Sequence, residues 1–94
     1  MKVLWFPQAE RDLDHVLEFI RRDSPSAAML VADRIEHAIQ RILLFPLSGR
    51  RGRLTGTREL VVPDTPFIIP YLVAEDTIVI LAVMHGAQKW PEKP

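Results

Sequence analysis

The chain has 94 residues, with twelve Lys or Arg against twelve Asp or Glu and no cysteine. That length supports one domain, residues 1–94, around one modest core, and the absent cysteines exclude a disulfide framework and thiolate metal sites. A formal net charge of +0 leaves no overall field that would draw the chain to nucleic acid, while an apolar content of 48% is too high for a disordered tail.

Residues Lys2 to Phe6 form a β-prone run closed by Pro7, which fits the first turn of a helix because the N–H it lacks would be unpaired there. From Gln8, the apolar residues Ala9, Leu13, Val16, Leu17 and Ile20 fall on one helical face. Glu10, Arg11, Asp12, Asp14 and Glu18 lie mainly on the other side. Acids early and Arg21 and Arg22 late suit the helix dipole. Ser24-Pro25 signals a second start, Ser as N-cap and Pro at the first helical position. Ala28, Val31, Ile35, Ala38, Ile39 and Ile42 then form a second stripe, which must stop before Pro46. Two helices joined by so short a break fold back as an αα-hairpin.

Leu47 to Gly56 reads as a loop, with glycines interleaved among arginines. Arg58 to Val62 reads as a strand, Pro63-Asp64-Thr65-Pro66 as a turn, and Phe67 to Val73 as a strand interrupted by Pro70. A proline cannot donate to a ladder, so Pro70 predicts a bulge or an N–H direction that faces no partner. Ala74-Glu75-Asp76 makes a hairpin, and Thr77 to Met84 is predicted to be the central strand, buried on both faces. The predicted fold class is α+β: an N-terminal strand, an αα-hairpin, then a three-stranded antiparallel meander, forming one sheet covered by the helical hairpin. Strand order stays open. No apolar run approaches the roughly 20 residues of a membrane span. Only four residues separate Lys2 from Pro7, too few for a secretory h-region, so a cytoplasmic location is expected.

Nine of the twelve cations are Arg, the side chain suited to bidentate contact with carboxylate or phosphate. Arg50, Arg51, Arg53 and Arg58 fall within nine positions that contain no acid. They could contact a phosphate backbone or an acidic partner, or simply lie in a solvated loop. Arg58, at the mouth of a strand, is the best candidate for a phosphate clamp; the plainer reading pairs it with Glu59 or another acid. His85, at the exit of the last strand, could move a proton near neutral pH, or be a hydrogen-bonded structural residue. Lys89 could touch phosphate, and Trp90 could stack on a base or close the core. Tyr71 reads as core. His15, His37 and His85 have no ligand spacing, so no metal and no cofactor is expected.

Taken in order, Ala9…Asp12-Leu13, the Ser24-Pro25 break, Ala32-Asp33-Arg34-Ile35, Phe45-Pro46…Gly49-Arg50, Arg58-Glu59-Leu60-Val61-Val62 and His85-Gly86-Ala87-Gln88-Lys89-Trp90-Pro91 resemble the RelE/ParE family. These are the growth-inhibiting toxins of bacterial type II toxin–antitoxin pairs, also associated with plasmid stabilisation. The resemblance spans essentially the whole chain and implies a toxin neutralised by a cognate antitoxin. Two mechanisms follow from it. ParE-like members bind DNA gyrase and stall it on cleaved DNA. RelE-like members enter the ribosome and cut mRNA without a metal, with Arg58 and His85 as the catalytic candidates here. A third reading is an inactive toxin kept as a binding partner of its antitoxin.

One departure bears on the choice. RelE-type nucleases usually carry an Arg on the third strand, just after the aromatic that follows its opening turn; the matching stretch is Phe67-Ile68-Ile69, so Ile68 stands there. The terminal segment supplies only Lys89 and an aromatic without an acidic hydroxyl. The balance shifts toward inhibition by binding, with Arg50, Arg51, Arg53, Arg58, Lys89 and Trp90 as target-facing residues. For the antitoxin, the second helix carries more apolar residues than one sheet can cover. Met29, Leu30, Leu43 and Leu44 lie outside or beside its stripe and are the expected contact, by a helix in a groove or an added strand. The same patch could instead serve a homodimer.

Overall fold

The computed structural model describes residues 1–86. Its elements are β1 Lys2–Trp5, α1 Pro7–Asp23, α2 Pro25–Leu44, β2 Arg50–Arg51, β3 Arg58–Val61, β4 Phe67–Ala74, β5 Thr77–Ile80 and β6 Met84–His85. The helices start where the prolines predict. The Ser24 hydroxyl accepts the Ala27 N–H at 3.2 Å, so one residue both ends α1 and caps α2. The hairpin then lays both stripes on one face of the sheet. Ala9, Ile35, Ala38, Ile39 and Ile42 are buried against Ile69, Tyr71, Ile78 and Ile80.

The fold class is α+β as predicted, but the sheet is larger and differently wired. It has six strands in the order β1-β5-β4-β3-β2, with β6 also on β4. β1 pairs parallel with β5, and every other pairing is antiparallel. The sheet is therefore mixed, and the meander is only part of it. Arg50 and Arg51, predicted to be loop, form the edge strand β2 against Arg58 and Glu59. The centre of the sheet is β4, not the segment Thr77 to Met84.

That segment splits at Ile80, and Pro70 explains why. On β4, three steps separate Tyr71 from Ile68, whereas their partners Ile80 and Met84 are four apart, so one extra residue bulges out. Pro70 accepts the Leu81 N–H at 2.9 Å on this side of the strand but has no N–H to return. The ladder breaks there. The side chain of Asp12, on α1, accepts the stranded N–H of Val83 at 3.1 Å across 71 residues of sequence. One carboxylate thus ties the helical layer to the break in the sheet, and it satisfies a backbone donor that burial would otherwise penalise.

No helix among the described residues is long and apolar enough to cross a membrane. Two substitutions test this wiring. Replacing Ser24 by Ala should cost about 1 kcal/mol through the lost cap. Replacing Asp12 by Ala should cost more, about 2 kcal/mol, because it leaves a partly buried N–H unpaired. Urea unfolding of both variants checks the order.

Candidate functional site

The arginines gather where β2 and β3 form the edge of the sheet, and a single side chain sets that edge. Tyr71 points inward from β4 and is fully buried. Its hydroxyl donates to the Pro46 carbonyl at 2.8 Å and accepts the Gly49 N–H at 2.9 Å. This pins the turn that follows α2. A side chain at Gly49 would collide with the Tyr71 ring and hydroxyl, which is why glycine stands there. Arg58, opposite Tyr71 on β3, completes the clasp by donating to the carbonyls of Leu47 at 3.1 Å and Gly49 at 2.9 Å.

Arg58 therefore holds the backbone of the turn. Glu59 is 2% exposed and takes two other arginines. Arg50 approaches one carboxylate oxygen at 3.0 Å and Arg53 the other at 3.5 Å, with the Arg53 backbone N–H at 3.4 Å. A buried carboxylate needs such partners, since burial without them costs several kcal/mol. Both arginines keep part of their surface in water, so they neutralise Glu59 and still colour the edge with positive charge. Arg51 differs. It is exposed, and its side chain makes no hydrogen bond or ion pair among the described residues.

The two catalytic candidates do not meet. Arg58 is opposite Tyr71 and His85 is opposite Phe67, on the other side of β4. That is four residues, roughly 13 Å, along the strand and two inter-strand spacings, about 10 Å, across it. The His85 ring stands edge-on to Phe67, centroids 6.1 Å apart and 81° between planes. Ile68, which stands where a nuclease would carry its third-strand Arg, is 4% exposed. Lys89 and Trp90 lie outside the described residues. Groups of three or more His, Asp or Glu that could hold a metal are absent among the described residues.

The apolar surplus of α2 is real but divided. Met29 (71%), Leu30 (52%) and Leu44 (74%) are exposed, whereas Leu43 is partly buried against the core. Leu44 stands fourteen positions after Leu30, about 21 Å of helix, and Asp33, His37 and Arg41 are exposed between them. The patch at the far end was only half legible in sequence. There Leu44 continues into Phe45 (63%) and Leu47 (66%), exposed because the turn held by Tyr71 points them outward. Beside it, a groove of about 290 Å³ runs between α2 and β3, lined by Ala38, Arg41, Arg50, Leu60 and Val61 among others. A second hollow of about 440 Å³ lies in the β2–β3 hairpin itself, from Arg51 to Arg58.

A helical hairpin over a mixed sheet, with an arginine-bearing edge beside an apolar rim, is a small α+β domain of the kind the resemblance implied. Comparison with known proteins is specific on this point. Residues 3–90 match the family model described as the ParE toxin of the type II toxin–antitoxin system, parDE. Y4kP of Sinorhizobium fredii is 44% identical over 91 residues, covering 97% of this chain and 94% of that protein. Toxin RelE2 of Caulobacter vibrioides is 32% identical over 87 residues, covering 93% and 97%. The fold is also that of a chain from the chromosomal ParDE system of P. aeruginosa, with a TM-score of 0.78, 24% identity, and coverage of 90% and 95%. The chain belongs to the ParE toxin family and is the toxin of a type II toxin–antitoxin pair.

The ion-pair geometry makes a prediction that separates structure from function at this edge. Glu59→Gln should cost about 1 kcal/mol, because the two freed guanidiniums turn to water. The double replacement of Arg50 and Arg53 by Ala should cost about 3 kcal/mol, because it removes both guanidiniums from a buried carboxylate. Tyr71→Phe should cost about 2 kcal/mol by leaving Gly49 N–H and the Pro46 carbonyl unpaired. Chemical denaturation of the three proteins measures the order, and equal costs would contradict this account.

Proposed function

We propose that this toxin arrests growth in the cytoplasm by gripping a target enzyme, DNA gyrase being the one its ParE-like character implies, and that it does not cut RNA. The names of its relatives span both branches of the family, so geometry carries the choice. The separation of Arg58 from His85 is the main support. Strand scission through the ribose 2′-OH needs a proton-transfer group and a cation converging on one phosphate. Here one candidate clamps a turn and the other stands against Phe67 on the far side of β4. Buried Ile68 removes a third participant.

A protein that inhibits by binding needs no such convergence. It needs a rigid, distinctive surface, and the β2–β3 edge qualifies: Arg50 and Arg53 are paired with Glu59 while Arg51 is exposed beside them. In the cell this surface is silenced by the cognate antitoxin.

Induction of the chain alone in a bacterium tests the reading. Growth arrest should come with a DNA-damage response and without mRNA cleavage at ribosomes. His85→Ala should remain as toxic as the parent, and Arg51→Glu should be at least roughly tenfold less toxic by surviving colonies while folding normally. In vitro, the purified chain should inhibit gyrase supercoiling. Loss of toxicity in His85→Ala together with ribosome-dependent cleavage by the parent would establish the nuclease instead.

A further inference from the structure

The edge of the sheet remote from the arginines is β1, which pairs with β5 alone among the described residues. Lys2 N–H donates to Asp76 O at 2.8 Å and Phe6 N–H to Ile80 O at 2.9 Å, both toward that neighbour. Backbone groups alternate sides along a strand, so Lys2, Leu4 and Phe6 face β5 with their amides. The N–H and C=O of Val3 and Trp5 face outward, with no partner among the described residues. The side chains alternate as well. Val3 and Trp5 lean on the core and stay partly exposed. On the opposite face of the sheet, Leu4 is 53% and Phe6 45% exposed.

Proteins protect such an edge with a charge, a proline or a bulge within the strand, because a bare apolar edge pairs with another chain. Here Lys2 stands at one end and Pro7 lies past the other, and between them every side chain is apolar. The strand is also complementary to itself. Two copies laid antiparallel about a two-fold axis through Leu4 bring Val3 of each opposite Trp5 of the other. Each then exchanges its outward N–H and C=O with its partner, and the open side of the ladder closes. Leu4 meets Leu4, and Lys2 meets Phe6, in the non-hydrogen-bonded pairs where side chains stand closest. The cation thus falls on an aromatic ring and not on a second cation. An axis through Trp5 would set Val3 against Pro7, which has no N–H, and an axis through Val3 would carry Trp5 beyond the end of the partner strand. Only the register centred on Leu4 uses all the outward groups.

We propose that β1 is the contact through which two copies of this chain pair, antiparallel about Leu4, into one continuous sheet. The contact is a single short strand, far smaller than a permanent interface, so the dimer exchanges with monomer according to concentration. It leaves the two β2 edges at opposite ends of the joined sheet, roughly 43 Å apart. The dimer is therefore bivalent toward whatever that arginine-bearing edge grips. The pairing goes beyond the proposed function and does not depend on it.

The test uses the purified chain. In sedimentation equilibrium the parent should show a monomer–dimer equilibrium. Leu4→Lys, which sets two cations face to face on the axis, should weaken it at least roughly tenfold. Leu44→Lys, on the exposed end of α2, should dimerise as the parent does. Cysteine variants read the register, since the chain has no thiol of its own. The Leu4 Cα atoms would lie about 4.5 Å apart, within disulfide range, and the two Lys2 Cα atoms roughly 14 Å apart. Under mild oxidation Leu4→Cys should cross-link to itself and Lys2→Cys should not. Lys2→Cys mixed with Phe6→Cys should give the mixed disulfide. A parent that stays monomeric up to about 1 mM, a dimer that withstands Leu4→Lys, or equal cross-linking of Leu4→Cys and Lys2→Cys would each overturn the proposal. So would a monomeric parent whose Val3 and Trp5 amides gain protection from hydrogen exchange only when the product of the adjoining short reading frame is added, which would give the edge to that protein.

Discussion

The clasp between Tyr71 and the turn after α2 governs the arginine-bearing edge of this molecule. A buried phenol on the central strand reaches the backbone of residues 46 and 49 with both its donor and its acceptor. Arg58 fastens the same turn from the neighbouring strand. A hydroxyl buried in a core must find partners or cost stability, and here its partners are the backbone groups that decide where β2 begins. Everything that distinguishes this edge follows from that anchoring: the placement of Arg50 and Arg51 on a strand, the outward turn of Phe45 and Leu47, and the groove beside α2.

The arginines that look alike in the chain do different work once folded. Arg58 satisfies backbone carbonyls. Arg50 and Arg53 balance a carboxylate that is almost wholly out of water. Only Arg51 stands clear of such duties among the described residues. Charge density along a sequence therefore overstates the positive surface available to a partner, because the fold neutralises part of it internally. What remains is small, rigid and set beside apolar groups, a combination suited to selective recognition of a protein more than to a polyanion's field.

The same partition appears in the opposite half of the sheet. Pro70 ends a ladder, the extra residue bulges, and Asp12 reaches from α1 to hold the freed N–H of Val83. His85 is thereby delivered to the Phe67 end of β4, away from the arginine rim. A nuclease would need these two ends brought together; the bulge and the register keep them apart. Distance along the central strand is thus the physical reason that Arg58 and His85 do not converge.

Much of the architecture was legible before folding. The stripes from Ala9 to Ile20 and from Ala28 to Ile42, the Ser24-Pro25 break and the stop before Pro46 are local signals, written in spacing of three and four residues and in the chemistry of caps. So were the α+β class, the disruption at Pro70 and the ordered set of residues that resembles the RelE/ParE family. The pairing of β1 with β5, the two-residue strands β2 and β6, the position of β4 at the centre and the partners of each arginine were not. They depend on contacts between residues far apart in the chain, and nothing local distinguishes an arginine that will meet Glu59 from one that will meet a carbonyl or water. Sequence by itself determined which segments fold and which family the chain resembles; only tertiary structure decided which charges are spent inside the molecule and which are left for a partner, because that allocation is made by register and burial.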